Sequence, residues 1–219
     1  MERPWIYYPG FFRSGVALKL AENLKEWSQP TVFRMYGKRT LGKRISCAFS
    51  NRQGSIPVYN HQTPTRKWKD APKEVRDARD QISRVLGYSI DYVLIHIYRN
   101  QNDMVSWHFD REATKSEIFS LSLGDTRRFI LKSKSGEDKK EYYLNDGDLI
   151  HMHGPRKGKK GCQECYIHTL SPMIFSEIKT YLKKKGVNRN FRTKKEATEY
   201  LQEHHLEPIR VNMTFRQFQ

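Results

Sequence analysis

The run Arg210-Val211-Asn212-Met213-Thr214-Phe215-Arg216 alternates polar and apolar residues without a break. Side chains of an extended strand point alternately to its two faces. Val211, Met213 and Phe215 therefore need an apolar layer on one side. Arg210, Asn212, Thr214 and Arg216 share the other. Two arginines facing the inside of a sheet leave costly buried charge unless something pairs with them. They call for an anion, and a dicarboxylate can answer two guanidinium groups with bidentate pairs. Acids of the chain itself, such as Asp110 or Asp148, are the competing partners.

Short strand patterns fill the chain before this run. Tyr92–Tyr98, Ile118–Leu123, Arg128–Lys132, Glu141–Leu144, Asp148–His153 and Tyr166–Thr169 are separated by Gly, Asn and Asp turns. Upstream, Val16, Leu20, Leu24 and Trp27 at helical spacing predict a helix over Ser14–Trp27 that Pro30 stops. Pro72–Leu86 reads as a second helix closed by Gly87. Thr31–Lys43 reads as a strand, a tip at Gly37 and a basic return, and residues 50–69 as mostly loop. Two helices followed by many short antiparallel strands predict an α+β domain whose β part is a jelly roll. Between Pro172 and Pro208 the strand pattern breaks. Met173–Lys185 and Thr193–His205 read as two basic amphipathic helices, the second with Thr193 and Glu196 as a capping box.

His108 and Asp110 stand two residues apart beside Trp107, so on a strand they reach one point in space. They form two thirds of a two-histidine, one-carboxylate triad that leaves open positions on iron(II). The bland alternative is a polar pair at a strand end. His151, His153 and His168 are the downstream candidates for a third ligand, and spacing does not rank them. Cys162-x-x-Cys165 raises a structural zinc alternative, weakened by the lack of a second cysteine pair. An iron(II) site with open positions beside a dicarboxylate pocket is the equipment of a 2-oxoglutarate oxygenase.

The 219 residues suit one domain with a real core. Forty Lys and Arg against 24 Asp and Glu give a net charge of +16, which points to a polyanionic partner, nucleic acid first. An inert basic surface is the alternative. No stretch approaches the length of a membrane span, and Met1–Tyr8 lacks the apolar core of a signal peptide. Three cysteines make no disulfide framework, so an intracellular, reducing compartment is expected, with nucleus and cytoplasm not distinguished. Nothing in the sequence indicates an oligomer, and a monomer is expected.

The closing run resembles the R-x-N-x-T-F-R signature of the AlkB family of Fe(II)/2-oxoglutarate dioxygenases. Ile95-His96-Ile97-Tyr98, Trp107-His108-Phe109-Asp110-Arg111-Glu112, Ser120–Gly124 and Gly147-Asp148-Leu149 follow in the family's order. The resemblance covers residues 5–172 and 208–219. It implies a double-stranded β-helix with N-terminal helices, and Fe(II), 2-oxoglutarate and O2 as cofactor and cosubstrates. It implies His108, Asp110 and His168 as the metal ligands, with Tyr98, Arg210, Asn212 and Arg216 holding 2-oxoglutarate. His96 stands where the family usually has Asn.

The same resemblance implies oxidative demethylation of alkylated bases in DNA or RNA. Residues 1–89 would then carry the nucleotide-recognition elements. Phe49 resembles the aromatic that stacks on the flipped base, and Glu112 the acid near the base's exocyclic amine. Trp107, beside the first iron histidine, is a further substrate candidate. Val32–Lys38 resembles the hairpin with which the duplex-preferring vertebrate relative enters the base stack, so Met35 and Tyr36 are candidate wedges. Lys38, Arg39, Lys43 and Arg44 suit phosphates. Residues 172–208 depart from the family, where this connection is usually short. Their basic residues predict a nucleic-acid arm, with a solvated cover near the active-site mouth as the alternative.

Overall fold

The protein is described here by a computed structural model covering residues 3–13, 15–35, 38–51 and 63–218, with the backbone alone described at 32–35 and 38–39. Twelve strands are described: β1 Trp5–Tyr8, β2 Gln29–Met35, β3 Lys38–Ser50, β4 Thr65–Arg66, β5 Tyr92–Tyr98, β6 Val105–His108, β7 Ile118–Gly124, β8 Arg127–Ser133, β9 Lys139–Leu144, β10 Leu149–Met152, β11 Tyr166–Leu170 and β12 Arg210–Arg216. Five helices accompany them: α1 Ala17–Lys25, α2 Lys73–Leu86, α3 Cys162–Cys165, α4 Phe175–Lys184 and α5 Lys194–Glu203.

The strands form the two sheets of a double-stranded β-helix. The larger runs β1-β10-β7-β12-β5-β3-β2, with β4 beside β3. The smaller runs β6-β11-β8-β9. The closing strand β12 lies between β5 and β7, pairing Asn212 with His96 on one side and Ser122 on the other. All seven of its residues are buried. Val211, Met213 and Phe215 join a core shared with Leu20 and Leu24 of α1 and Val75 and Ile82 of α2. This is the apolar layer that the alternation demands. Arg210, Asn212, Thr214 and Arg216 face the smaller sheet and line a pocket between the two. The remaining inter-sheet space is filled by a second apolar cluster that includes Ile118, Phe129, Ile150 and Met152.

The element boundaries follow local chemistry. Gly87 ends α2 in the left-handed region at φ 75°, where glycine carries no Cβ penalty. The β7–β8 turn needs a glycine for a different reason. Gly124 has φ 90°, and a Cβ there would lie 2.4 Å from the Ile209 carbonyl oxygen, at the point where the chain enters β12.

Residues 172–208 form a helical pair with a small core of its own, built from Met173, Ile178, Tyr181, Leu182, Phe191, Ala197 and Leu201. Glu177 pairs with Arg128 at 3.2 Å, and Lys185 with Asp125 at 3.7 Å. Thr193 caps α5 by accepting from the Glu196 N–H. The expected reciprocal bond is displaced by one residue, because the Glu196 carboxylate accepts from the Arg192 N–H instead. The pair emerges at the Arg210 end of β12. It is six strand residues, roughly 20 Å, from the Arg216 end.

Candidate active site

Two strands and the turn after the first bring the metal-ligating candidates together. His108 ends β6, and β11 pairs with β6 so that His168 lies directly opposite His108. Asp110 follows in extended backbone at the start of a short 3-10 turn. Its two carboxylate oxygens lie 3.9 Å from His108 Nε2 and 3.9 Å from His168 Nε2. The two imidazole centroids are 4.3 Å apart. One donor atom from each residue falls within 4.8 Å of the others, a spacing that a single cation can bridge.

The surroundings prepare the ligands for a cation. His108 Nδ1 lies 2.8 Å from the Ser106 carbonyl oxygen, an arrangement in which Nδ1 carries the proton and Nε2 keeps its lone pair for the metal. Burial pushes His108 below its ordinary imidazole value, and His168 down to about 3, so both rings stay neutral at physiological pH. Burial alone would raise the Asp110 pKa. The Arg216 guanidinium, His168 and His108 together outweigh it, and Asp110 is held well below the usual carboxylate range.

The larger sheet supplies the charge around the pocket. Arg216 Nη2 donates to Asp110 at 3.0 Å, and Nη1 to Glu112 at 2.7 Å. Burial would lower the Arg216 pKa, but Asp110, Tyr92 and Glu112 raise it well above the ordinary value. One of the two arginines expected to meet a dicarboxylate is therefore already committed to acids of the chain. The reason is its place at the end of β12 beside the Asp110–Glu112 turn. Arg210 has no carboxylate partner among the described residues. Its Nη2 donates to the Ser122 hydroxyl at 2.7 Å, its Nε has no partner there, and burial pushes it down to about 10.

Arg44 is a pocket residue that the sequence reading missed. It is only 3% exposed, so it cannot contact a phosphate on the protein surface. Its Nη1 donates to the Tyr98 hydroxyl at 2.8 Å, and its Nε also lacks a partner among the described residues. Arg44 and Arg210 thus converge on Tyr98 from β3 and β12, leaving buried donors that fit a carboxylate. Asn212 and His96 line the same pocket. Asn212 donates to the Ser120 hydroxyl and the Leu121 carbonyl. His96 Nδ1 lies 2.7 Å from the Ser46 hydroxyl, and burial, with Arg44 and Arg216, holds its ring well below its ordinary pKa.

One substrate expectation is corrected. Phe49 is fully buried in the layer shared with α1 and α2, its ring 6.1 Å from Trp27, and it cannot stack on a base at the pocket. Along β3, Arg44, Ser46, Ala48 and Ser50 share one face, while Ile45, Cys47 and Phe49 share the apolar one. That alternation was readable in the sequence. Trp107 points away from the pocket because its neighbour His108 points in. It is 43% exposed, with Lys132 Nζ 5.3 Å from its ring centre. Glu112 is half-buried, and its carboxylate accepts from Arg216. Tyr36 lies outside the described residues, as do the side chains of Met35, Lys38 and Arg39.

His151 and His153 do not reach Asp110. They meet Glu117 instead, on the opposite face of the larger sheet. Among the described residues neither Cys162 nor Cys165 joins a group of three metal-ligating side chains. No described helix is long and apolar enough to cross a membrane.

Comparison with known proteins agrees with this architecture. Residues 5–216 match the family described as the 2OG-Fe(II) oxygenase superfamily. The chain is 28% identical over 198 residues to a protein of Arabidopsis thaliana named DNA oxidative demethylase ALKBH2, covering 87% of this chain and 57% of that protein. It is 35% identical over 88 residues to the Bos taurus alpha-ketoglutarate-dependent dioxygenase alkB homolog 3, covering 35% of this chain and 31% of the relative. The chain thus spans little more than half of the first relative and about a third of the second. The solved structure of OsALKBH1 shares the fold, with a TM-score of 0.53 at 18% identity over 99% of each chain.

Proposed function

Because the chain belongs to the 2OG-Fe(II) oxygenase superfamily, and within it to the AlkB family, we propose that it demethylates alkylated bases in DNA oxidatively, with 1-methyladenine and 3-methylcytosine as substrates. The observation that carries this reading is the His108–Asp110–His168 donor set beside the Nε donors of Arg44 and Arg210, which have no partner among the described residues. It joins a site for a divalent metal to a site for a carboxylate inside one pocket. Fe(II), 2-oxoglutarate and dioxygen are the family's cofactor and cosubstrates, and the ligand set fits the metal.

Fe(II), when bound, supplies the activation of dioxygen coupled to oxidation of 2-oxoglutarate to succinate and carbon dioxide. One oxygen atom enters succinate and the other an N-methyl C–H bond. The N-hydroxymethyl product then releases formaldehyde and the unmodified base. The chain's own residues hold these partners in register. Arg210 and Arg44, with Tyr98, receive a carboxylate of 2-oxoglutarate. Arg216 fixes the Asp110 carboxylate by a charge-assisted bond and keeps it ionised. His96 and Asn212 flank the cosubstrate as neutral hydrogen-bonding groups. Glu112, tied to Arg216 at the edge of the pocket, is the candidate acceptor for the base's exocyclic amine. The net charge of +16 suits a phosphate backbone.

The test is turnover with 1-methyladenine or 3-methylcytosine in duplex DNA, single-stranded DNA and RNA side by side, with peptide controls and formaldehyde release as the readout. DNA is expected to be demethylated fastest. A preference for RNA over every DNA form would move the protein to RNA demethylation. Binding of nucleic acid without formaldehyde or succinate would make it a binding module.

A further inference from the structure

We propose that Glu117, His151 and His153 form a second divalent-metal site of the zinc class, separate from the iron triad. The three side chains offer two imidazole nitrogens and a carboxylate oxygen within 4.8 Å of one another. Their side chains are 13%, 4% and 10% exposed, so the group is largely withdrawn from water yet reachable. In β10, Ile150 and Met152 face the inter-sheet core, and His151 faces the other way. The larger sheet therefore separates the two histidine clusters.

The site is built by the fold. His151 pairs with Phe119 across β10 and β7, and its ring lies 4.3 Å from the Phe119 ring and 5.4 Å from that of Tyr88. The turn after β10 is pressed against the segment preceding β7. A Cβ on Gly154 would lie 3.0 Å from the Ser116 carbonyl carbon. That close approach brings His153 against Glu117.

As placed, His153 Nδ1 cannot satisfy both of its polar neighbours with one proton. Glu117 Oε2 lies 2.6 Å from His151 Nε2 and 3.1 Å from His153 Nδ1. Arg156 Nη2 lies 2.8 Å from the same His153 Nδ1. A guanidinium nitrogen can only donate. To accept from Arg156, Nδ1 must present a lone pair, and it then faces the carboxylate oxygen with no proton between them. To donate to Glu117, Nδ1 must carry a proton, and it then faces the protons of Arg156. No tautomer of His153 satisfies both neighbours. A divalent cation satisfies the cluster by accepting lone pairs from both imidazoles and the carboxylate. The Arg156 side chain, 52% exposed, is free to turn to solvent. Tetrahedral zinc at about 2.1 Å from each donor separates the donors by roughly 3.4 Å, which asks for sub-ångström movements here. Water can fill the fourth position. Two imidazoles and one carboxylate suit zinc better than magnesium or calcium, which prefer oxygen.

The experiment is metal counting on the full chain, stripped with chelator and dialysed against Zn2+. Two zinc ions per chain are expected in the wild type, one in Asp110→Ala, one in Glu117→Gln and none in Asp110→Ala/Glu117→Gln. Glu117→Gln keeps the size and a hydrogen-bonding oxygen of the side chain, and His153→Gln is the second variant should the first fail to fold. Zinc-edge X-ray absorption of Asp110→Ala is expected to show nitrogen and oxygen neighbours without sulfur. One zinc in the wild type, a second zinc that survives both Glu117→Gln and His153→Gln, or sulfur in the coordination shell would each overturn the proposal. None of these readouts depends on demethylation, so failure of the proposed activity leaves the test intact.

Discussion

At the scale of single residues, the pocket separates groups that could hold a metal from groups that could hold an anion. His168→Ala is expected to abolish metal-dependent succinate formation, while His151→Ala retains it, because His168 lies beside Asp110 in the smaller sheet and His151 does not reach it. On the proposed site, Arg210→Ala removes the buried cation that would face a cosubstrate carboxylate. It is expected to raise the KM for 2-oxoglutarate roughly 30-fold or more, corresponding to roughly 2–5 kcal/mol for a broken buried pair. Unchanged KM in that variant would remove Arg210 from the cosubstrate site. His96 makes a pH prediction. Its folded-state pKa lies below its unfolded value, so the unfolded chain binds the extra proton. The stability of the neutral form is present above roughly pH 6.5 and is lost as pH falls below it, at about 1.4 kcal/mol per pH unit at most. The metal-free protein should thus lose stability on mild acidification, and His96→Asn should flatten that loss in urea titrations. Cosubstrate affinity should not vary with His96 charge across the neutral range, since the ring is already neutral there.

At the scale of elements, the pair α4–α5 is where a departure from the family pattern was expected. Its apolar residues turn inward, and Lys179, Lys183, Lys184, Lys185, Arg189, Arg192, Lys194 and Lys195 are all exposed. Its ion pairs with Arg128 and Asp125 tie it to the β7–β8 end of the barrel. That position, opposite the Asp110–Arg216 end, favours a phosphate-binding arm over a cover for the mouth. Reversing the charges of Lys183, Lys184 and Lys185 should flatten the dependence of log affinity on log salt for DNA, each lost phosphate contact removing about 0.9 from the slope. An unchanged slope in a folded variant would leave the arm without a role in binding. The same element shows why a capping pattern is only partly readable. Thr193 and Glu196 have the right spacing, but Arg189 also draws the Glu196 carboxylate, at 3.0 Å, and the reciprocal bond moves to Arg192.

At the scale of the whole molecule, the proposed reaction on duplex DNA requires a base to leave its stack. Extrusion from a duplex costs a few kcal/mol, and a side chain that fills the gap offsets part of it. Tyr36, at the tip between β2 and β3 in sequence, is the candidate. Tyr36→Ala should slow repair of duplex DNA far more than repair of a single strand, read as the ratio of the two rates in each protein. Equal slowing would assign Tyr36 to the fold. Phe49 offers no control for this comparison, because it lies in the core.

The sequence by itself determined which residues share a face. Alternation is a local property of extended chain, so the polar and apolar sides of Arg210–Arg216 and the joint reach of His108 and Asp110 were legible without coordinates. Tertiary structure alone decided which face of each strand meets the pocket, because that depends on pairing between segments far apart in the chain. The pairing of β11 with β6 sets His168 opposite His108, whereas β10, in the other sheet, turns His151 away from Asp110. The pairing of Ser46 with His96 sends Arg44 inward and Phe49 to the helices. A one-residue shift of that register would exchange the two faces, and no local pattern fixes a register between strands about fifty residues apart.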